Sequence, residues 1–248
     1  MLAFSHFRRR RRTQPESHSI VDYKKVVQRK LRQMPNERSL ALAQVIGAET
    51  MENFVSQGDG HVAVLRHHGL TDGMTVYDLG CGCGRTAQAL RRSGWQGNYI
   101  GADVVPELLE ELALQCPNYT TVLNTNATII APDASLDIVF HWSVFTHLYP
   151  IESYLYTAEA FRALKPGGKM VFSFLEMEDQ AHNRVWENNL KRRICNEPAE
   201  QLDAFLHRDW IRRFASDAGF TEPRFTDGSD GTNHPPFWQA LAVMAKPD

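Results

Sequence analysis

The sequence predicts a doubly wound α/β fold built on a mostly parallel sheet, and three observations lead there. A short β-rich run, Thr75 to Leu79, enters the glycine turn Gly80-Cys81-Gly82-Cys83-Gly84, and a helix-type segment over 86–91 follows. Strand-like apolar runs then alternate with helical periods as far as about residue 175. The second strand-like run, Tyr99 to Asp103, ends in an acid 19 residues after Gly84, close to the roughly 20 expected of an acid that holds a ribose. Glycine permits the sharp turn between strand and helix and lets a ligand lie against bare backbone.

The 248 residues are 43% hydrophobic, which suffices for one sizeable domain and an appendage. No apolar run reaches the roughly 18 residues of a membrane span, so no transmembrane segment is expected. Nothing near residue 1 reads as a secretory signal. Four cysteines, two of them inside the glycine turn, do not resemble a disulfide framework, and a cytoplasmic location is expected. The net charge of −2 hides an asymmetry. Residues 1–32 hold ten Lys or Arg against Glu16 and Asp22, about +8, which leaves the remainder near −10.

Taken in order, residues 1–18 read as a basic disordered tail, because Arg8 to Arg12 repel one another. Such a run offers contact with anionic lipid or nucleic acid, against the plainer reading of a solvated start. Residues 19–69 read as a helical cover. Ile20, Tyr23, Val27 and Leu31 recur at helix spacing up to Pro35. A second helical stretch covers about 37–55, with Gly58-Asp59-Gly60 as its expected break, and a third over 61–68 stops at Gly69.

Beyond the glycine turn, Pro106 starts a helix through Leu114, and Tyr119 to Leu123 reads as a third strand followed by Asn124-Thr125-Asn126-Ala127. Leu136 to Ser143 is a fourth, with the apolar core of a central parallel strand. A helix over 151–164 stops at Lys165-Pro166-Gly167-Gly168, and 169–175 is a fifth strand. Residues 177–199 are polar and read as a helix and loop over the site. An amphipathic helix over 203–218 is capped by Gly219, and 220–225 and 238–244 are closing strands around a Gly/Asp/Pro-rich loop.

From about Leu70 to Ala245 the chain resembles the class I S-adenosylmethionine-dependent methyltransferases. The motifs that carry the likeness are Asp78-Leu79-Gly80-Cys81-Gly82-Cys83-Gly84, Asp103 after the second strand, Leu136-Asp137-Ile138-Val139 and Leu164-Lys165-Pro166-Gly167-Gly168-Lys169. A dinucleotide dehydrogenase would place a glycine at the sixth position from Gly80, where Arg85 stands. The resemblance implies that residues 70–248 form a Rossmann-like seven-stranded sheet, mostly parallel with an antiparallel last strand, after N-terminal helices. It also implies S-adenosylmethionine as cofactor. Asp78, Gly80, Cys81 and Gly82 would lie against its methionine part, Asp103 on the ribose and Val104 on the adenine. Asn126, beside Ala127, stands where the family usually has an Asp for the adenine amino group, and Asn124 competes for that alignment. Trp142 and Phe145 would offer aromatic faces to the sulfonium.

Methyl transfer to a hydroxyl needs a base, expected beyond the carboxyl ends of the strands. His147 is the first choice, since imidazole exchanges protons near neutral pH. Glu176 and His141 are the other candidates. Cys81 and Cys83 lack a second ligand pair at metal spacing, and no metal is expected. The expected activity is transfer to a small-molecule hydroxyl. The alternatives are a catalytically silent cofactor-binding scaffold and an enzyme acting on a nucleic acid or protein.

Overall fold

The computed structural model describes residues 18–197, 202–230 and 238–248, so the arginine run at 8–12 lies outside the described residues. Three helices come first: α1 (His18–Gln33), α2 (Arg38–Val45) and α3 (Met51–His67). The sheet unit follows as β1 (Thr75–Leu79), α4 (Arg85–Arg92), β2 (Asn98–Asp103), α5 (Pro106–Gln115) and β3 (Thr120–Leu123). It continues with β4 (Leu136–His141), α6 (Pro150–Ala163), β5 (Leu164–Phe174), α7 (Asn183–Ile194), α8 (Arg208–Ala218), β6 (Arg224–Thr226) and β7 (Ala240–Ala245).

Seven strands form one sheet in the order β3-β2-β1-β4-β5-β7-β6. The first five pair in parallel, and β7 runs antiparallel between β5 and β6. The chain thus has the predicted fold class. Strand order reverses between β1 and β4, the switch point beyond whose carboxyl ends a ligand crevice opens in such sheets.

Alternation along the strands feeds two cores. Tyr77, Val139, Phe172 and Phe174 point to the layer of α6 and α8, while Val76, Ile138, Phe140 and Val171 point to α3, α4 and α5. Each fully buried side chain of this size contributes about 1.5–3 kcal/mol relative to exposure. Val27, Leu42 and Phe54 of the first three helices pack with Cys83 and Leu108, so these helices are seated on the glycine turn itself.

Two sequence motifs turn out to brace the opposite edge of the sheet. Asp137 accepts from the Thr75 backbone N–H at 2.7 Å and from Lys165 Nζ at 2.8 Å, tying the starts of β1, β4 and β5. Lys165-Pro166-Gly167-Gly168 does not precede the fifth strand as expected. β5 already starts at Leu164, opposite Leu136, and the next pairing is Lys169 with Ile138, so the Pro-Gly-Gly element is an irregularity inside the strand.

Other boundaries differ as well. Gly58-Asp59-Gly60 does not break a helix, because α3 runs straight through it. A Cβ on Gly58 would sit 2.6 Å from the Arg85 carbonyl oxygen, so the glycine serves close contact with α4. The break falls instead between α2 and α3, at Gly47 with φ +85°. α8 starts at Arg208 rather than 203, with His207 Nδ1 accepting from the Asp209 N–H. Phe220 packs edge-on against Phe161 and leaves only Arg224–Thr226 to pair as β6.

Candidate active site

A cavity of about 420 Å³ opens at the switch point, within the range usual for small-molecule sites. Its floor is the glycine turn. Gly80 has φ +66°, and a Cβ there would lie 2.4 Å from Val144 Cγ2, so neither the backbone nor the space admits a side chain. Cys81 is held by its N–H on the Ala102 carbonyl at 3.0 Å, which keeps the turn against the end of β2.

Asp103 closes β2 and is buried. Its Oδ2 accepts the Gly82 N–H at 2.9 Å and its Oδ1 the Val105 N–H at 3.0 Å. Each carboxylate oxygen has a second acceptor position, so the group can still take two hydroxyl protons. Burial raises its pKa to about 6, with the backbone N–H bonds opposing. Asp78, at the end region of β1, accepts the Tyr99 hydroxyl at 2.6 Å, and Thr86 also bonds it. His61 Nδ1 lies 3.0 Å from Thr86 Oγ1, which extends the chain of polar groups under the floor. Burial raises Asp78 to about 7 and keeps His61 neutral by lowering its pKa.

These shifts give a pH prediction. A group whose folded pKa is raised stabilises the fold below its unfolded value. That contribution is lost as pH rises from 3.8 through about 7 for Asp78. Binding of a cation at Asp78 runs the other way, since it needs the carboxylate. Affinity for a cationic ligand is expected to fall about tenfold per unit below pH 7. Titrations at several pH values check this, and Asp78→Asn should flatten the profile; an unchanged slope in that variant would remove Asp78 from the site.

Val104, Asn126, Ala127 and Trp142 also line the cavity. The Asn124 side chain is spent on the loop itself: its Oδ1 accepts the Asn126 N–H at 3.2 Å and its Nδ2 donates to the Thr128 carbonyl at 2.6 Å. The Asn126 side chain, by contrast, is exposed. Trp142 rests on the His61 ring with centroids 4.8 Å apart.

His147 ends a single 3-10 turn, Phe145–His147, and faces the cavity half-buried. Its Nδ1 lies 2.6 Å from the Leu202 carbonyl oxygen, and a carbonyl can only accept, so the proton sits on Nδ1 and Nε2 is the basic nitrogen.

The other two base candidates are corrected by the structure. His141 is fully buried, does not line the cavity, and packs between Phe145 and Phe172 with centroids 4.2 and 5.0 Å away. Burial pushes its pKa down to about 3, so it stays neutral. The pleat turns it toward the core that Phe172 shares, away from the ligand edge. Glu176 is also buried and lies outside the cavity. Arg208 holds it with Nε at 2.8 Å from Oε2, and Arg208 also pairs with Asp227.

Several cavity residues carried no recognisable sequence signal. Tyr23 reaches in from α1, and its ring centroid is 6.4 Å from that of His147. Arg85, the first residue of α4, donates to the Ile46 carbonyl at 2.8 Å and to Gln57, placing a half-buried cation near Asp78. Ser143 adopts φ +59°, unusual without a glycine. Its N–H donates to Ser173 Oγ at 2.8 Å and its Oγ accepts from Gln239 Nε2 at 2.7 Å, while Ser173 donates to Gln239 Oε1 at 2.7 Å. This network fixes the end of β4 against β5 and β7. The signal was local only in part, because its three members are far apart in the chain.

Chemically, the cavity can hold a ligand with a cationic end over Asp78, a diol at Asp103 and a flat ring near Val104 and Asn126. His147, which lines the same cavity, offers it a group that can take up a proton. Comparison with known proteins gives a consistent picture. Residues 76–168 match a family model described as a methyltransferase domain. A 2-methyl-6-phytyl-1,4-hydroquinone methyltransferase of Synechocystis is 28% identical over 158 residues, 62% of this chain and 45% of that protein. A demethylmenaquinone methyltransferase of Tropheryma whipplei is 27% identical, over 48% of this chain and 49% of its own. The chain thus aligns with about half the length of these curated relatives. Among solved structures, magnesium protoporphyrin IX methyltransferase from Synechocystis, with bound SAH, superposes with a TM-score of 0.62 at 16% identity. That superposition covers 90% of this chain and 99% of that one.

Proposed function

We propose, for a chain that belongs to the class I S-adenosylmethionine-dependent methyltransferases, that it transfers a methyl group from S-adenosylmethionine to the hydroxyl of a small, largely apolar acceptor. One observation carries this reading: a single cavity is lined by two buried carboxylates, Asp78 and Asp103, by the glycine turn, and by His147 with its basic Nε2.

The cofactor supplies an electrophilic methyl group on a sulfonium. Asp78 would hold the ammonium of its methionine part, and Gly80, Cys81 and Gly82 would present backbone beside it. Asp103 would take the ribose hydroxyls, Val104 would lie against the adenine, and Asn126, beside Ala127, would accept from the adenine amino group. Trp142 would offer an aromatic face to the sulfonium, since such a face attracts a cation. His147 Nε2 takes the acceptor's proton while Nδ1–H stays on Leu202, so the ring keeps its orientation as it becomes charged. Leu148, Leu155, Leu175, Val185 and Leu202 also line the cavity, which supports an apolar substrate. The phytyl-hydroquinone named for one relative is a hydroxylated ring with an apolar chain, in keeping with that choice.

We take residues 70–248 as the transferase unit and 19–69 as its helical cover, and assign the arginines at 8–12 to electrostatic contact with an anionic partner. Four unpaired cysteines support a reducing compartment such as the cytoplasm. Calorimetric titration with S-adenosylmethionine and with its demethylated product should show saturable one-to-one binding, and transfer to a simple hydroquinone should follow. A folded protein that binds neither ligand would overturn the reading. Binding with no transfer to any hydroxyl acceptor would overturn the hydroxyl assignment, and no transfer to any acceptor would leave a catalytically silent scaffold in its place.

A further inference from the structure

Among the described helices of the sheet unit, α7 is unusual: none of its residues is buried. Yet it carries Trp186, Leu190 and Ile194, which are 47%, 49% and 72% exposed. Spaced four apart, they form one continuous apolar stripe. Lys191 and Arg193 flank that stripe, and Arg184 and Arg192 add charge, against the single acid Glu187 within the helix. An apolar stripe edged by cations is the pattern of a helix that lies in the headgroup region of an anionic bilayer.

The position of α7 gives that pattern a use. Val185, next to Trp186, lines the cavity, and the Trp186 ring packs edge-on against Phe205, shortly after the cavity-lining Leu202. Tyr149 and Ile151, just beyond His147 and Leu148, are likewise exposed at 54% and 65%. Solvent-exposed apolar groups therefore stand next to cavity-lining residues on two separate elements. Solvent exposure of such groups is costly unless another phase receives them.

We propose that α7 seats the chain on an anionic lipid surface, and that the methyl acceptor enters the cavity from that surface as a membrane-dissolved compound. The acceptor half rests on the methyltransferase reading; the docking half does not. Charge complementarity selects the occupant, since a second copy of this chain would bring the same cations face to face.

The test is co-sedimentation of the full chain with phosphatidylglycerol vesicles and with phosphatidylcholine vesicles, alongside the variants Trp186→Ser/Leu190→Ser/Ile194→Ser and Lys191→Glu/Arg193→Glu. The wild type should bind the anionic vesicles, and each variant should lose at least about tenfold in partitioning. All these positions are exposed, so melting curves should be unchanged. S-adenosylmethionine titration on the same samples separates the two ideas, because intact cofactor binding without vesicle binding overturns only the docking. Wild-type protein that stays in the supernatant, or a serine variant that sediments like wild type, would overturn it. So would a dimer that the serine variant abolishes while neither protein binds vesicles.

Discussion

Asp103→Ala is expected to weaken binding of S-adenosylmethionine and of its demethylated product by about 100-fold or more, measured by calorimetry. A hydrogen bond to a charged group contributes about 1.5–3 kcal/mol, and losing those to two ribose hydroxyls corresponds to at least that factor. The carboxylate also holds the Gly82 and Val105 N–H groups, so the substitution loosens the floor as well. Asp103→Asn separates the two effects. It keeps one acceptor oxygen for the backbone but removes the charge, and its affinity should fall between those of wild type and Asp103→Ala. A folded alanine variant that binds within about threefold of wild type would detach Asp103 from the ribose.

His147→Ala is expected to lower kcat on a hydroxyl acceptor by about 10²–10⁴-fold, the usual contribution of a positioned base. Cofactor affinity should be largely unchanged, since this reading assigns His147 to the acceptor and not to the cofactor. The discriminating readout is the acceptor's own acidity. An acceptor already ionised at the assay pH needs no base, so its rate should drop far less. Equal losses on both acceptors would make His147 a packing residue that holds residue 202 through its carbonyl. His147→Gln can retain a donor to that carbonyl but cannot accept a full proton, so it should not rescue the rate.

Much of the fold was legible because its determinants are local. The β-rich run from Thr75, the glycines that follow it and the acid ending Tyr99 to Asp103 are close in sequence, and their spacing alone implies a strand, a turn and a ligand edge. The same holds for the alternation that built the parallel strands. Boundaries failed where a distant neighbour outweighed local preference. Gly58 is a helix breaker by propensity, yet here it stays in α3 because the Arg85 carbonyl needs the space a side chain would fill.

The site divides along the same line. Which residues lie at or just beyond the strand ends can be read from sequence, and Asp78, Asp103, Trp142 and His147 all line one cavity. What each strand-end residue faces depends on pleat and partner, which are set by chain segments far away. His141 closes β4 but turns into the Phe145 and Phe172 core, and Glu176 follows β5 but is claimed by Arg208, 32 residues on. Tyr23, Arg85 and the Ser143-Ser173-Gln239 network had no local pattern to betray them. Sequence alone determined the fold class and the sheet edge at which the cavity opens, because both follow from contiguous backbone preferences. Tertiary structure decided which titratable groups reach the cavity, because burial and pairing depend on residues that meet only after folding.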